Sequence, residues 1–204
     1  IGILSSYSLA EKAINKLDFN VSYYQYPSLV FNLGRLIKKE IYASSLKLVP
    51  QYDQPLLAGV PIEITFPDSL HYQVKINAES ASLYDFRNNQ VIKKEVVFEA
   101  SEVLSIEEAF TSDFLKFSII IDSTFNFEED QVYEMVIRNT SQLAEKYAEK
   151  IEIKPIAEES SIVSISLKGN IVRKEITYLE SFLSEYIQSD LMKKNQLGVK
   201  TIEF

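Results

Sequence analysis

Ser160-Ser161-Ile162-Val163-Ser164-Ile165-Ser166-Leu167-Lys168-Gly169-Asn170, with the run from Ile171 to Phe204 behind it, decides the fold. Val163, Ile165 and Leu167 alternate with Ser164 and Ser166, the period-two pattern of a strand with one buried face. Asn170 follows Gly169 and offers itself as a helix cap. From Ile171 onward there is no proline, and the only glycine is Gly198. Ile176, Leu179, Phe182, Leu183, Tyr186, Ile187 and Leu191 recur at spacings of three and four, which lays one apolar stripe along a helix. After Met192 the stripe thins into Lys193-Lys194-Asn195-Gln196, and only Leu197, Val199 and Ile202 still mark a buried side. At about 1.5 Å per residue this helix is expected to run roughly 50 Å. It reaches Phe204 without a stop signal, so it is expected to continue.

Upstream, Ile151–Lys154 and Ser161–Lys168 are expected to pair antiparallel. Asn139-Thr140-Ser141 supplies caps for a helix to about Lys150, and Gln131–Ile137 reads as a strand. At the other end, residues 1–17 read as a helix with a second start at Ser8 and Glu11, a capping box. Leu9, Ala13, Ile14 and Leu17 form its buried side. Asn20 to Tyr26 has the β-branched and aromatic content of a strand. Between these flanks the composition changes. Pro50, Pro55, Pro61 and Pro67 crowd together and mark a boundary or an irregular connection. Ile62, Ile64 and Phe66, then Tyr72, Val74 and Ile76, alternate with polar residues. Leu83–Arg87 and Val91–Phe98 flank Asn88-Asn89, a pair that tolerates the left-handed backbone of a tight hairpin. Phe114–Ile121 continues the pattern. The expected class is therefore α+β. Residues 1–45 and 131–204 make an α/β base of helices on a small mixed sheet, with a protruding helix over about 171–204. Residues 46–130 make an inserted antiparallel β-domain.

Composition narrows the function. Twenty-one basic residues against 29 acidic ones give a net charge of −8, which argues against nucleic acid as a partner because phosphate binding needs a concentrated basic face. The absence of cysteine excludes disulfides, thiolate metal sites and cysteine nucleophiles. No apolar run approaches the roughly 20 residues that span a bilayer, and no signal peptide is visible. The chain starts at Ile1 without methionine and reads as an excised fragment whose flanks carry any membrane anchors.

Catalytic chemistry finds little support. His71 is the only histidine and falls on the polar side of a strand, so neither a metal cluster nor a Ser-His relay is expected. Glu107-Glu108, Glu128-Glu129-Asp130 and Glu158-Glu159 are adjacent loop acids that point apart, unlike the opposed carboxylates of a glycoside hydrolase. Gly169-Asn170-Ile171-Val172-Arg173-Lys174-Glu175 lacks the second glycine and the Lys-Ser/Thr ending of a phosphate loop. No catalytic residue, cofactor or metal is expected. Tyr23-Tyr24-Gln25-Tyr26 could stack sugars, although aromatic residues in strands more commonly pack a sheet. On the last helix, Glu180 and Glu185 give way to Lys193, Lys194 and Lys200. These charges read either as a solvated face or as acidic and basic segments that meet on neighbouring copies of the chain.

The order of segments resembles a known family. SSIVSISLKGN (160–170) with YLESFLSEYIQSDLMKKNQLGVKTIEF (178–204), preceded by ILSSYSLAEK (3–12) and LDFNVSYY (17–24), resembles the extracytoplasmic domain of bacterial polysaccharide chain-length determinants. Within that family it is similar to the Bacteroidetes type often fused to a cytosolic tyrosine kinase. The resemblance covers residues 1–45 and 131–204. It implies a periplasmic, oligomeric domain of an inner-membrane polysaccharide co-polymerase that governs length or export of capsular polysaccharide, exopolysaccharide or O-antigen. The implied partners are further copies of itself, a polysaccharide polymerase, an outer-membrane export channel and the glycan chain, and any kinase activity would lie elsewhere in the protein. The competing expectation is a secreted carbohydrate-binding β-module that needs no cage of copies.

Overall fold

The computed structural model describes residues 7–26, 38–128, 131–157 and 162–202, with 196–202 described by their helical backbone alone. The protein is of the α+β class, and every strand pair among the described residues is antiparallel. Chain contacts divide it into two units, Ile1–Phe19 with Thr140–Phe204, and Asn20–Asn139.

The first unit holds α1 (Tyr7–Asn15), α2 (Thr140–Lys150) and α3 (Val172–Ile202), together with β11 (Ile151–Pro155) and β12 (Val163–Leu167). Leu9, Ala10, Ala13 and Ile14 give α1 its buried side, close to the side expected from spacing. Ala144 and Tyr147 do the same for α2. Phe19, Tyr147, Tyr178 and Phe182 form a chain of ring contacts, with centroids 5.9, 4.3 and 5.8 Å apart. The expected pairing of β11 with β12 is present, in register from Ile151 opposite Leu167 to Pro155 opposite Val163. It is a two-stranded antiparallel ladder, where a mixed sheet was expected. The first turn of α3 closes with the Glu175 amide donating to the Ile171 carbonyl at 3.1 Å. Ile171 therefore occupies the cap position expected for Asn170. The stretch 1–6 of the expected first helix lies outside the described residues.

Among the described residues the second unit is built on ten strands: β1 (Val21–Gln25), β2 (Lys39–Ile41), β3 (Leu46–Pro50), β4 (Leu56–Ala58), β5 (Pro61–Thr65), β6 (His71–Asp85), β7 (Gln90–Ser105), β8 (Phe110–Thr111), β9 (Lys116–Ile121) and β10 (Tyr133–Ile137). The larger sheet runs β2-β1-β10-β5-β6-β4, with β7 on the other side of β6; β3-β9-β8 form a second sheet. Period-two alternation sends Leu46 and Leu48, Ile62 and Ile64, Tyr72, Val74 and Ile76, and Phe117 and Ile119 into one shared apolar cluster, as a half-buried sheet requires. Gly59 makes the β4–β5 corner with φ +79, a backbone that glycine adopts without strain. The 85–90 turn follows the expected asparagine logic, with Asn89 at φ 56. Asp85 ties that turn by accepting from the Arg87 amide at 2.9 Å and from the Asn88 side chain at 2.7 Å.

The division between units does not run at 45/46 and 130/131. β1 pairs with β2 and β10, and β10 pairs with β5, so these three strands from the two flanks belong to the same sheet as the stretch read as an insertion.

Candidate functional site

Around the axis of α3 two faces differ in chemistry. Lys174, Glu175, Tyr178, Phe182 and Glu185 are buried against the rest of their unit. Ser181 Oγ donates to the Ala13 carbonyl at 3.0 Å, and Lys16 ion-pairs with Glu185. The Lys174 ammonium stands 5.2 Å from the centroid of the Phe19 ring. Val172, Ile176, Leu183, Ile187 and Leu191 point elsewhere, with 71, 49, 39, 56 and 54% of their surface exposed. At about 100° per residue these two sets centre roughly 150° apart.

The apolar stripe read from spacing is thus not the face that packs on its own unit. Of its members only Phe182 is buried, Leu179 and Tyr186 are half-buried, and the aliphatic remainder is exposed. Aromatic rings hold the inner face instead, with charged groups filling in beside them.

The charged residues expected on an assembly surface separate accordingly. Glu180 is exposed. Glu185 is turned inward to Lys16 and is withdrawn from any neighbour. Lys193 is exposed at the edge of a hollow of about 230 Å³ that it shares with Lys12, Glu185, Gln188, Ser189 and Met192. Lys194 lies 2.7 Å from Asp190 one turn back, and that carboxylate raises its pKa. Lys200 lies on the helical backbone of α3, but its side chain lies outside the described ones. The set is therefore not one patch.

A second feature lies on the outer face of the larger sheet. Cross-strand register aligns Tyr24, Glu134, Glu63, Lys75 and Ser101 in one row. Glu63, Lys75, Asn77, Glu99, Ser101 and Glu134 line a groove of about 380 Å³. Glu63 and Glu134 stand directly opposite each other, although like charges in that position destabilise a sheet. Glu134 is 3% exposed and accepts from Lys38 at 2.6 Å and from the Tyr26 hydroxyl. Beside it, Arg138 donates to the Tyr24 hydroxyl at 2.8 Å and to Ser22 at 3.1 Å, while Lys38 lies 4.6 Å from the centroid of the Tyr24 ring. The tyrosine run divides by parity: Tyr24 and Tyr26 join this network, whereas Tyr23 packs against the core and accepts from the Leu48 amide. Sequence reading found no facing carboxylates, because Glu63 and Glu134 meet only through the β5–β10 register.

His71 is exposed, with Nδ1 2.9 Å from Asp68. Among the described residues no group of three or more metal-ligating side chains comes together, and no helix is long and apolar enough to cross a membrane. Compared with protein-family models and with curated proteins, the sequence matches none.

Proposed function

We propose that this chain is the periplasmic scaffold domain of an inner-membrane polysaccharide co-polymerase, which assembles side by side with its own copies to regulate glycan length or export. On this reading its work is geometric, and it contributes no catalytic group of its own. The polymerase, the export channel and the glycan are its partners by resemblance. The observation that carries the reading is the exposed aliphatic stripe Val172, Ile176, Leu183, Ile187 and Leu191 on the side of α3 turned away from its buried face.

Each of these five side chains has roughly half its surface left to bury, worth about 1 kcal/mol apiece. Two copies in contact would gain about 10 kcal/mol, against an association cost of about 4–15 kcal/mol. Free in solution such a contact is marginal. Tethering the copies to one membrane raises their effective concentration and tips the balance toward assembly. The test is Leu183→Glu with Ile187→Glu in the membrane-anchored protein, read as the length distribution of the surface polysaccharide. The expected result is loss of the modal length at unchanged protein level; an unaltered distribution would refute the proposal.

A second reading, a carbohydrate-binding module, is favoured by the groove beside Tyr24. Titration calorimetry with neutral and amino-sugar oligosaccharides separates the two. Tight binding to a chain that does not self-associate when tethered supports the module.

A further inference from the structure

A different element carries an inference that does not depend on α3. β6 takes β5 and β4 on one side and β7 on the other, and no other described strand pairs with the outer edge of β7. Open strand edges template pairing with another chain, and folded proteins blunt them with lysines, bulges or proline. The first part of β7 is blunted: Lys93 and Lys94 precede Glu95, whose φ of 57 puts an irregularity in the strand, and the register with β6 shifts there. From Phe98 to Ser105 the strand is regular, paired without interruption from Ala78 to His71. It contains neither lysine nor proline, and Val97 and Val103 are 73 and 58% exposed.

We infer that β7 pairs antiparallel with β7 of a second copy about a two-fold axis at Ala100. In that register Val97 meets the second copy's Val103, Val96 meets Leu104, Glu99 meets Ser101 and Phe98 meets Glu102. Directly opposed residues of an antiparallel pair share a face, so the exposed valines cover each other and no two glutamates are opposed. Moving the axis to Glu99 or Glu102 sets like charges face to face. Moving it to Ser101 parts the two valines, setting Val97 against Ser105 and Glu99 against Val103, and moving it to Phe98 drives the second strand into the Glu95 bulge. Of these five registers only the one at Ala100 lets the two exposed valines cover each other, and it is self-complementary as a two-fold contact requires.

The chain has no cysteine, so a single introduced thiol reports the contact cleanly. Opposed α-carbons of an antiparallel pair lie about 4.5–5.5 Å apart, within disulfide range. In the full chain, Ala100→Cys should give a disulfide-linked dimer as the main product under mild oxidation. Ser69→Cys, on an exposed turn, should stay monomeric. Adding Val97→Lys and Val103→Lys to Ala100→Cys should remove the dimer, while adding Ile187→Glu should leave it, so failure here is distinct from failure of α3 assembly. If Ala100→Cys does not fold, hydrogen exchange on the unmodified chain decides the matter. Amides of residues 96–104 should gain protection at least tenfold between dilute and concentrated protein. A monomeric, folded Ala100→Cys, cross-linking no greater than that of Ser69→Cys, or exchange independent of concentration would each overturn the inference.

Discussion

Tyr178→Phe should stabilise this protein, although it removes a polar group from the middle of a core. Tyr178 is fully buried, its ring lies 4.3 Å from that of Tyr147, and its hydroxyl has no hydrogen-bond partner among the described residues. Burial, aided by the nearby Glu175 carboxylate, holds its pKa far above the ordinary phenol value. An unpaired buried hydroxyl costs about 1–3 kcal/mol. Phenylalanine keeps the ring and its stacking, and the small space left by the oxygen offsets part of the gain. The net expectation is about 1 kcal/mol of added stability, or about 2–4 °C in Tm for a chain of this size. Urea unfolding followed by circular dichroism measures it, each transition being fitted separately where the two units melt apart. Tyr72→Phe is the matched control. Tyr72 is equally buried, but its hydroxyl donates to the Glu108 carbonyl at 2.8 Å, so its loss should cost about 1 kcal/mol. A Tyr178→Phe variant destabilised as much as Tyr72→Phe would refute the reasoning, because the hydroxyl would then have to be satisfied.

Three further outcomes follow from the same contacts. Burial pushes the Tyr72 phenol up from 10.0 to about 12; a raised folded pKa means stability that is intact below pH 10 and lost as pH climbs toward 12, so absorbance at 295 nm should register Tyr72 ionisation only together with unfolding. A methyl group placed on Gly169 would overlap the Glu175 carboxylate. Gly169→Ala should therefore cost about 1–3 kcal/mol, and a double-mutant cycle with Glu175→Ala should recover a coupling of at least about 0.5 kcal/mol. Asp85 is held below the usual carboxylate range by the Asn88 side chain and by backbone amides. Its contribution is present above pH 3.8 and lost as pH falls through its depressed folded pKa; Asp85→Ala should lower the urea midpoint at neutral pH and flatten that acid limb.

Local features of the fold could be read from the chain because they depend on local spacing. Thr140–Lys150 follows from its caps, Val172–Ile202 from apolar spacing without proline, and the 85–90 turn from paired asparagines. Three things could not be read. β10 carries Glu134 in a fully buried strand, and an acid there suggests a wet face until β1 and β5 are known to flank it. The apposition of Glu134 with Glu63, and with it the groove, is a product of register and leaves no mark in either segment alone. On α3 both faces carry apolar residues at helical spacing. Periodicity cannot tell which face a domain keeps for itself, and the inner face proved to hold Tyr178 and Phe182 beside Lys174, Glu175 and Glu185. Glu185 accordingly moved from an expected contact with neighbours to an internal ion pair with Lys16. His71, by contrast, lies where alternation put it, exposed and beside Asp68.

The most direct measurement places a single thiol at Ile187, on the exposed stripe of α3, and tethers the chain to vesicles through its C-terminal end at graded surface density. Side-by-side assembly predicts disulfide-linked pairs whose yield rises with density and disappears when Leu183→Glu is added. Chains that remain monomeric at every density, or cross-link equally well with the thiol at Ser69, would contradict the claim that this stripe recognises another copy.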